Sequence, residues 1–225
     1  MESSGLGHSL IRSKRRTICL EFNPQGQLIV RAPLRASLSL IKDFIHSKRN
    51  WIEKNQQHNV QQYQAKPQRH YQNGESFLLL GESYPLEIVP HLKKPLHFDT
   101  VFQLSERNIE KAEKIFTAWY KKRALSQITE ITEKHATIMQ LSYSGIKITS
   151  ARKRWGSCNS RGNLSFSWRL VMAPIWIIEY IVVHELAHLK HMNHSSRFWG
   201  FVGKFFPEYK KARKWLKEHQ ALLDL

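Results

Sequence analysis

The residues of this 225-residue chain best suited to chemistry lie between Ile175 and Trp199. They include the pattern H-E-x-x-H, as His184, Glu185 and His188. On a helix, positions four apart share one face, about 6 Å apart along the axis. Two imidazoles at that spacing can grip one metal ion from the same side, and the intervening glutamate then projects near the ion's open side. His191 and His194 follow as candidates for a third ligand. Were the helix to continue, His191 would lie about 10 Å along the axis from His184, too far for three bonds of about 2 Å to meet. His194 comes six residues after His188 and directly after Asn193, a residue type that tolerates the left-handed conformation with which helices end. The third ligand is therefore assigned to His194, and His191 to a supporting or substrate-facing place. The same six-residue step occurs in the metzincin pattern, but there a glycine stands at the position of His191, which argues against a metzincin proper.

Three protein ligands leave one coordination position open on Zn2+. The ion lowers the pKa of a bound water to about 7, so hydroxide is available to attack a carbonyl. Glu185 takes the proton as general base and later passes it to the leaving group. Tyr180, one turn before His184, and His191 are possible donors to the developing oxyanion. Arg152, Arg154 and Arg169 could hold a carboxylate, a phosphate or that oxyanion. A plainer role for Arg154 is packing on Trp155 by cation–π contact.

Several segments together resemble the YgjP-like metallopeptidase family, which is related to the SprT and WLM zinc proteases. They are Arg154-Trp155-Gly156-Ser157-Cys158, Trp168-Arg169-Leu170, Val183 to Leu189, Asn193-His194-Ser195 and Phe198-Trp199. The resemblance covers most of the chain and is strongest from about residue 150 to 216. It implies a zincin-like catalytic core, with His184, His188 and His194 on the metal and Glu185 as base. It also implies an edge strand beside the metal that pairs with extended substrate, a mode that is physically general.

The elements that must position these residues can be read from the pattern. Pro174 suits the first turn of a helix, and Ile177, Ile178, Ile181 and Val182 make that helix apolar enough to be buried. Before it, Gly145 precedes a strand over 146–151, a polar turn spans 159–163, and a second strand runs over 164–170, forming a hairpin beside the active-site helix. After His194, Ser195 can cap a short helix through Phe198, Trp199 and Val202. Phe205 and Phe206 extend an apolar surface over the site. Pro207 opens a last helix with Tyr209, Trp215 and Leu216 inward, and with Lys210, Lys211, Arg213, Lys214 and Lys217 on a basic outer face.

Further upstream, residues 1–15 read as a loose arm or a first short strand. Alternation at Ile18, Leu20 and Phe22, the turn Asn23-Pro24-Gln25-Gly26, and alternation at Leu28, Val30 and Ala32 predict a half-buried hairpin. Apolar spacing from Leu38 to Ile52 predicts a helix to about Asn55. Residues 56–75 read as a connector that includes His58 and His70. Strands are expected at 77–80, 84–89 and once within 96–104. Ser105 can cap a long helix from Glu106 towards Met139 that contains a break, with Lys121-Lys122-Arg123 on a solvated face. The fold class is α+β, with a β-rich N-terminal region carrying one helix over 1–104 and the metallopeptidase domain over 105–225.

Composition bounds the function. The formal net charge is +17, and most of the excess lies in residues 105–225. Such a field attracts nucleic acid, nucleotides or acidic proteins, although no recognisable nucleic-acid motif is present. Cys19 and Cys158 are far apart and form no C-x-x-C, so a disulfide framework is not expected and a reducing compartment is. No secretory signal or membrane span is legible, so the reading is cytoplasmic. The leading function is a zinc-dependent peptidase acting on a protein or peptide. One alternative keeps the metal and hydrolyses a phosphoric anhydride of a nucleotide, with Arg152 and Arg154 as clamps, though no phosphate-cradling glycine loop is present. Another is a basic nucleic-acid-binding module with a structural metal, which three histidines beside a glutamate fit less well than they fit catalysis.

Overall fold

The computed structural model describes residues 2–4, 8–23, 26–55 and 68–225. Pro24 and Gln25 of the expected turn, and residues 56–67 of the expected connector with His58, lie outside them. The chain is α+β and divides into two compact units, Met1–Lys66 and Pro67–Leu225.

The first unit is a sheet with a helix. Strands β1 (Glu2–Ser4), β2 (His8–Ser13), β3 (Cys19–Phe22) and β4 (Leu28–Pro33) lie in the order β1-β2-β4-β3. The β3–β4 hairpin forms in antiparallel register with Leu20 opposite Val30. The segment expected as an arm or strand supplies β2, which runs parallel to β4. Helix α1 (Leu38–Ser47) starts where the Ser37 hydroxyl accepts the Leu40 N–H. It buries Ile41 among Leu10, Leu28, Val30 and Ala32.

The second unit holds the larger core. Strands β5 (Ser76–Leu79), β6 (Glu82–Val89), β7 (Leu96–Phe98) and β8 (Phe102–Ser105) lie in the order β5-β6-β8-β7. The single strand expected within 96–104 is thus two, paired antiparallel. Helix α2 (Ala112–Met139) runs 28 residues without the expected break. A 3-10 turn over Glu106–Lys111 precedes it, and Ser105 makes no side-chain cap. Ala112, Phe116, Tyr120, Ala124 and Ile128 recur every four residues and are buried, so one face is tied to the core along its length. Of the expected solvated face, Lys122 and Arg123 line a cavity of about 440 Å³ with Lys94, His97, Phe98 and Trp119.

The β5–β8 strands share their core with the catalytic elements: Phe77, Leu86 and Phe102 cluster with Phe116, Trp168 and Ile178. The tip of the β5–β6 hairpin also fastens the start of the active-site helix. The Leu80 and Gly81 N–H groups donate to the carbonyls of Val171 and Met172. Gly81 has φ +91°, and a Cβ there would come within 2.9 Å of Pro174 Cα, so a side chain is excluded twice over. The division falls at 66/67 rather than between 104 and 105, because the buried face of these strands packs into the core of the second unit.

A third sheet flanks the site. Strands β9 (Gly145–Thr149), β10 (Gly156–Cys158) and β11 (Asn163–Ser167) lie in the order β10-β11-β9. The strand after Gly145 pairs parallel to β11, and the hairpin is β10–β11 instead. Residues 168–170, expected to end the strand, instead begin a 3-10 turn over Trp168–Met172 that drops Trp168, Leu170 and Val171 into the core. Helices α3 (Ile175–Ala187), α4 (Ser196–Phe205) and α5 (Tyr209–His219) complete the unit. No helix among the described residues is long and apolar enough to cross a membrane.

Candidate metal centre and active site

Helix α3 is buried over most of its length, with only Glu179 and His184 partly exposed between Ile177 and Ala187. That packing fixes the rotamers of anything it carries, which a metal site needs. Pro174 stands at its N-cap, and His188 closes it as a C-cap residue still in the right-handed helical region. His184 and His188 therefore keep their one-turn spacing, with ring centroids 5.0 Å apart.

The chain leaves the helix earlier than expected. Turn-type hydrogen bonds carry it through Leu189 to His191, and Asn193 is not among the residues with positive φ. The reversal is made by residues 188–195 together, not by a left-handed asparagine. His194 returns all the same: its Nε2 is 3.0 Å from the Nε2 of His184. One ligand nitrogen from each of His184, His188 and His194 lies within 4.8 Å of the others.

Phe198, fully buried on α4, underlies all three rings, at centroid distances of 4.9 Å, 4.6 Å and 4.8 Å to His184, His188 and His194. Trp199 stacks on His194 at 5.6 Å and 22°. Both aromatics are legible in the sequence only as core residues. Their alignment under the imidazoles depends on how α4 returns against α3. Ser195 occupies the N-cap of α4 but makes no side-chain cap.

The donor set fits a metal ion. The His188 Nδ1 lies 3.1 Å from the carbonyl oxygen of His191. A carbonyl can only accept, so Nδ1 carries the proton and Nε2 keeps its lone pair free. Burial, then the neighbouring His188, His194 and Arg213, depress the His184 pKa to about 3. Burial also lowers that of His188. Both are neutral at pH 7, the form that binds metal. Two donors about 2.1 Å from one ion at tetrahedral angles lie about 3.4 Å apart, close to the 3.0 Å between His184 and His194.

Glu185 is 4% exposed, and its Oε2 is buried without a hydrogen-bond partner. Burial pushes its carboxyl up to about 8, while the Arg154 cation pulls in the opposite direction. A carboxyl with a pKa near neutrality is suited to take a proton and return it. Gly156 makes its place: a Cβ there would lie 2.5 Å from Glu185 Oε1 and 2.6 Å from Cγ. This role of Gly156, at the start of the edge strand β10, was not visible in the sequence, because the contact joins residues 29 positions apart. In the described residues β10 pairs only with β11, so its other edge runs open beside the carboxylate.

A cavity of about 270 Å³ is lined by Trp155, Gly156, Tyr180, Ile181, His184, Glu185, Arg213 and Leu216. Tyr180 is thus in the cleft, its ring beside His184 and Phe206. Burial raises its phenol to about 12, so it stays protonated and able to donate. The His191 ring lies against Phe201 and is not part of the cleft lining; its contribution to the cluster is its carbonyl.

The arginines divide sharply. Arg169 is buried, with its Nε 2.6 Å from Asp224 Oδ1 and its guanidinium over Trp168. Arg152 lies 3.8 Å from the same carboxylate. Both are thus committed to the C-terminal segment. Arg154 stands near Glu185 and is not over Trp155; the arginine–tryptophan pairs here are Arg169 on Trp168 and Arg213 on Trp199. Arg213, expected on the outer basic face of α5, lines the cleft instead. The signal was its spacing: Tyr209, Arg213 and Leu216 share one helix face.

A three-histidine cluster able to hold one ion beside a buried carboxylate, on an α+β scaffold, defines the class of this site. Over residues 16–219 the sequence matches the family described as YgjP-like, metallopeptidase domain. The chain belongs to the YgjP-like metallopeptidase family and is an enzyme of the peptidase class. Among solved structures, the metallopeptidase zymogen of Pyrococcus abyssi abylysin is similar at 25% identity and a TM-score of 0.38, over 41% of this chain and 95% of that one. The metallopeptidase zymogen of Methanocaldococcus jannaschii jannalysin is similar at 20% identity and a TM-score of 0.37, over 40% and 94%. No curated protein matches the chain.

Proposed function

We propose that the chain is a zinc-dependent peptidase with a zincin-like core, in which His184, His188 and His194 hold Zn2+ and Glu185 is the general base. The observation that carries this reading is the convergence of three imidazoles beside a buried carboxylate, on the residue after His184, whose Oε2 has no hydrogen-bond partner. Nitrogen ligands in that number suit zinc with an open position; when bound, it supplies a Lewis acid that polarises a carbonyl and acidifies water.

The chain's own residues do the rest. Glu185 accepts a proton at Oε2 and returns it to the leaving amine. The open edge of β10 can take an extended peptide by main-chain hydrogen bonds, which orients the bond to be cut. Tyr180 holds a hydroxyl proton in the cleft for the developing oxyanion. Arg154 favours the ionised form of Glu185. His191 acts through its backbone carbonyl, which orients His188. A protein or peptide is the substrate, and a reducing, cytoplasmic setting suits the two free thiols Cys19 and Cys158. The reading as a nucleotide phosphohydrolase is weaker, because Arg152 already faces Asp224.

The test pairs zinc analysis with cleavage of an unfolded protein. Wild type binds one Zn2+ per chain and cuts. Glu185→Gln keeps the metal and loses roughly 10²–10⁴-fold in rate. Phosphate release from nucleotides by the wild type, with no peptide cleavage, would refute the proposal.

A further inference from the structure

Arg213 stands out from the arginines around the site. Its guanidinium carbon sits 4.6 Å from the centre of the Trp199 ring. The same ring stacks on Tyr209 at 5.2 Å and on His194 at 5.6 Å. The arginine stem is thereby held against the aromatic that also orients the third histidine. Unlike Arg152 and Arg169, which share Asp224, Arg213 has no carboxylate partner among the described residues. Its head shares the cleft wall with His184 and Glu185, while Trp155, Ile181 and Leu216 make the remaining wall largely apolar.

A guanidinium fixed by stacking and lacking a counter-ion presents a fork that matches a carboxylate in two hydrogen bonds. From this placement we infer that Arg213 selects substrates by a carboxylate close to the bond that is cut. The inference rests on the peptidase reading above and adds its specificity. The carboxylate has two possible sources: an Asp or Glu side chain within the substrate, or the free C-terminus of a chain. Attraction of acidic substrates also agrees with the net charge of +17.

The zinc-loaded full chain is given capped peptides that differ only as Asp against Asn or Glu against Gln at positions flanking the cleaved bond. A parallel set differs only in having a free or an amidated C-terminus. The acid member of one set is expected to have a kcat/KM roughly tenfold higher, carried mainly in KM. The set that shows the preference identifies the source. Arg213→Gln, which keeps much of the stem over Trp199, brings the ratio to about one; Arg213→Lys retains part of it; Arg213→Glu turns it towards Lys-containing peptides. Fluorescence anisotropy of the same labelled peptides on Glu185→Gln, with and without Arg213→Gln, reads the preference as binding alone. Equal handling of acid and amide peptides by wild type overturns the inference. So does a preference that survives both Arg213→Gln and Arg213→Glu. Failure to cleave any peptide would count against the peptidase reading, and the anisotropy arm would then decide the role of Arg213 independently.

Discussion

The end of α3 and the loop that follows it hold their imidazoles by opposite means. His184 and His188 sit on a helix buried on nearly every side, and their rings inherit its rigidity. His194 is exposed, lies on a segment without regular structure, and meets its partners through the aromatic pair Phe198 and Trp199. Two of the proposed ligands are thus placed by the core and the third by a local stack. The difference teaches that the metal-free fold should depend on the first pair's surroundings and little on the third ring, while metal binding needs all three.

Phe198 is where that comparison can be broken most severely. Phe198→Ala removes the floor beneath every imidazole and leaves a buried void. The expected cost is about 3–5 kcal/mol in denaturant unfolding of the metal-free chain, with weaker zinc binding in a chelator competition. A variant as stable as wild type would show that the rings are held in some other way.

The pH dependence tests the buried half alone. Glu185 is held up to about 8, against an ordinary value of 4.5. A raised carboxyl binds its proton more tightly in the folded state, so its contribution is full below about pH 4.5 and is lost as pH rises towards 8. His184, depressed to about 3, acts oppositely and weakens the fold as pH falls below about 6.5. Comparison of metal-free wild type with Glu185→Gln isolates the first effect. Their stability difference should widen by roughly a few kcal/mol between pH 5 and pH 8, read from melting curves. Parallel curves would contradict the burial assigned to Glu185.

Gly156→Ala sharpens the contrast from the strand side. Its methyl group would overlap the Glu185 carboxylate, so about 1–3 kcal/mol of stability and most of the peptidase activity should be lost together. Retained activity would mean that Glu185 has another place to go. His188→Ala against His194→Ala is a direct comparison of the two regions. Both should abolish stoichiometric zinc binding in metal analysis. In the metal-free chain the first should cost about 2 kcal/mol and the second less than about 0.5 kcal/mol, as exposed sites do. Arg154→Gln is the smallest change: with less positive charge near Glu185, the acidic limb of the activity profile should move to higher pH.

Much of this site was legible because its information is local. H-E-x-x-H on an apolar helix needs only the helical period to place His184, Glu185 and His188 together. The β3–β4 hairpin, the strands β5 and β6 and the last two helices were legible in the same way, from alternation, turn chemistry and helical spacing. The reading of Asn193 as a left-handed stop did not hold, because the helix had already ended at His188. The partners of the arginines are not legible for a related reason. Residue type gives the charge of Arg152, Arg169 and Arg213, but only their neighbours decide which is free, and Asp224 lies far along the chain from the first two.

The sequence by itself determined the residue types of the proposed metal site, their spacing and the family. Those depend on chemistry within a turn or two of helix and on a pattern carried by consecutive residues. Only the tertiary structure decided that Gly156 makes room for the Glu185 carboxylate, that Phe198 supports three rings at once, and that Arg213 faces the cleft. Each of these is a contact between elements distant along the chain, and it is fixed by how the helices and the edge strand fill space against one another.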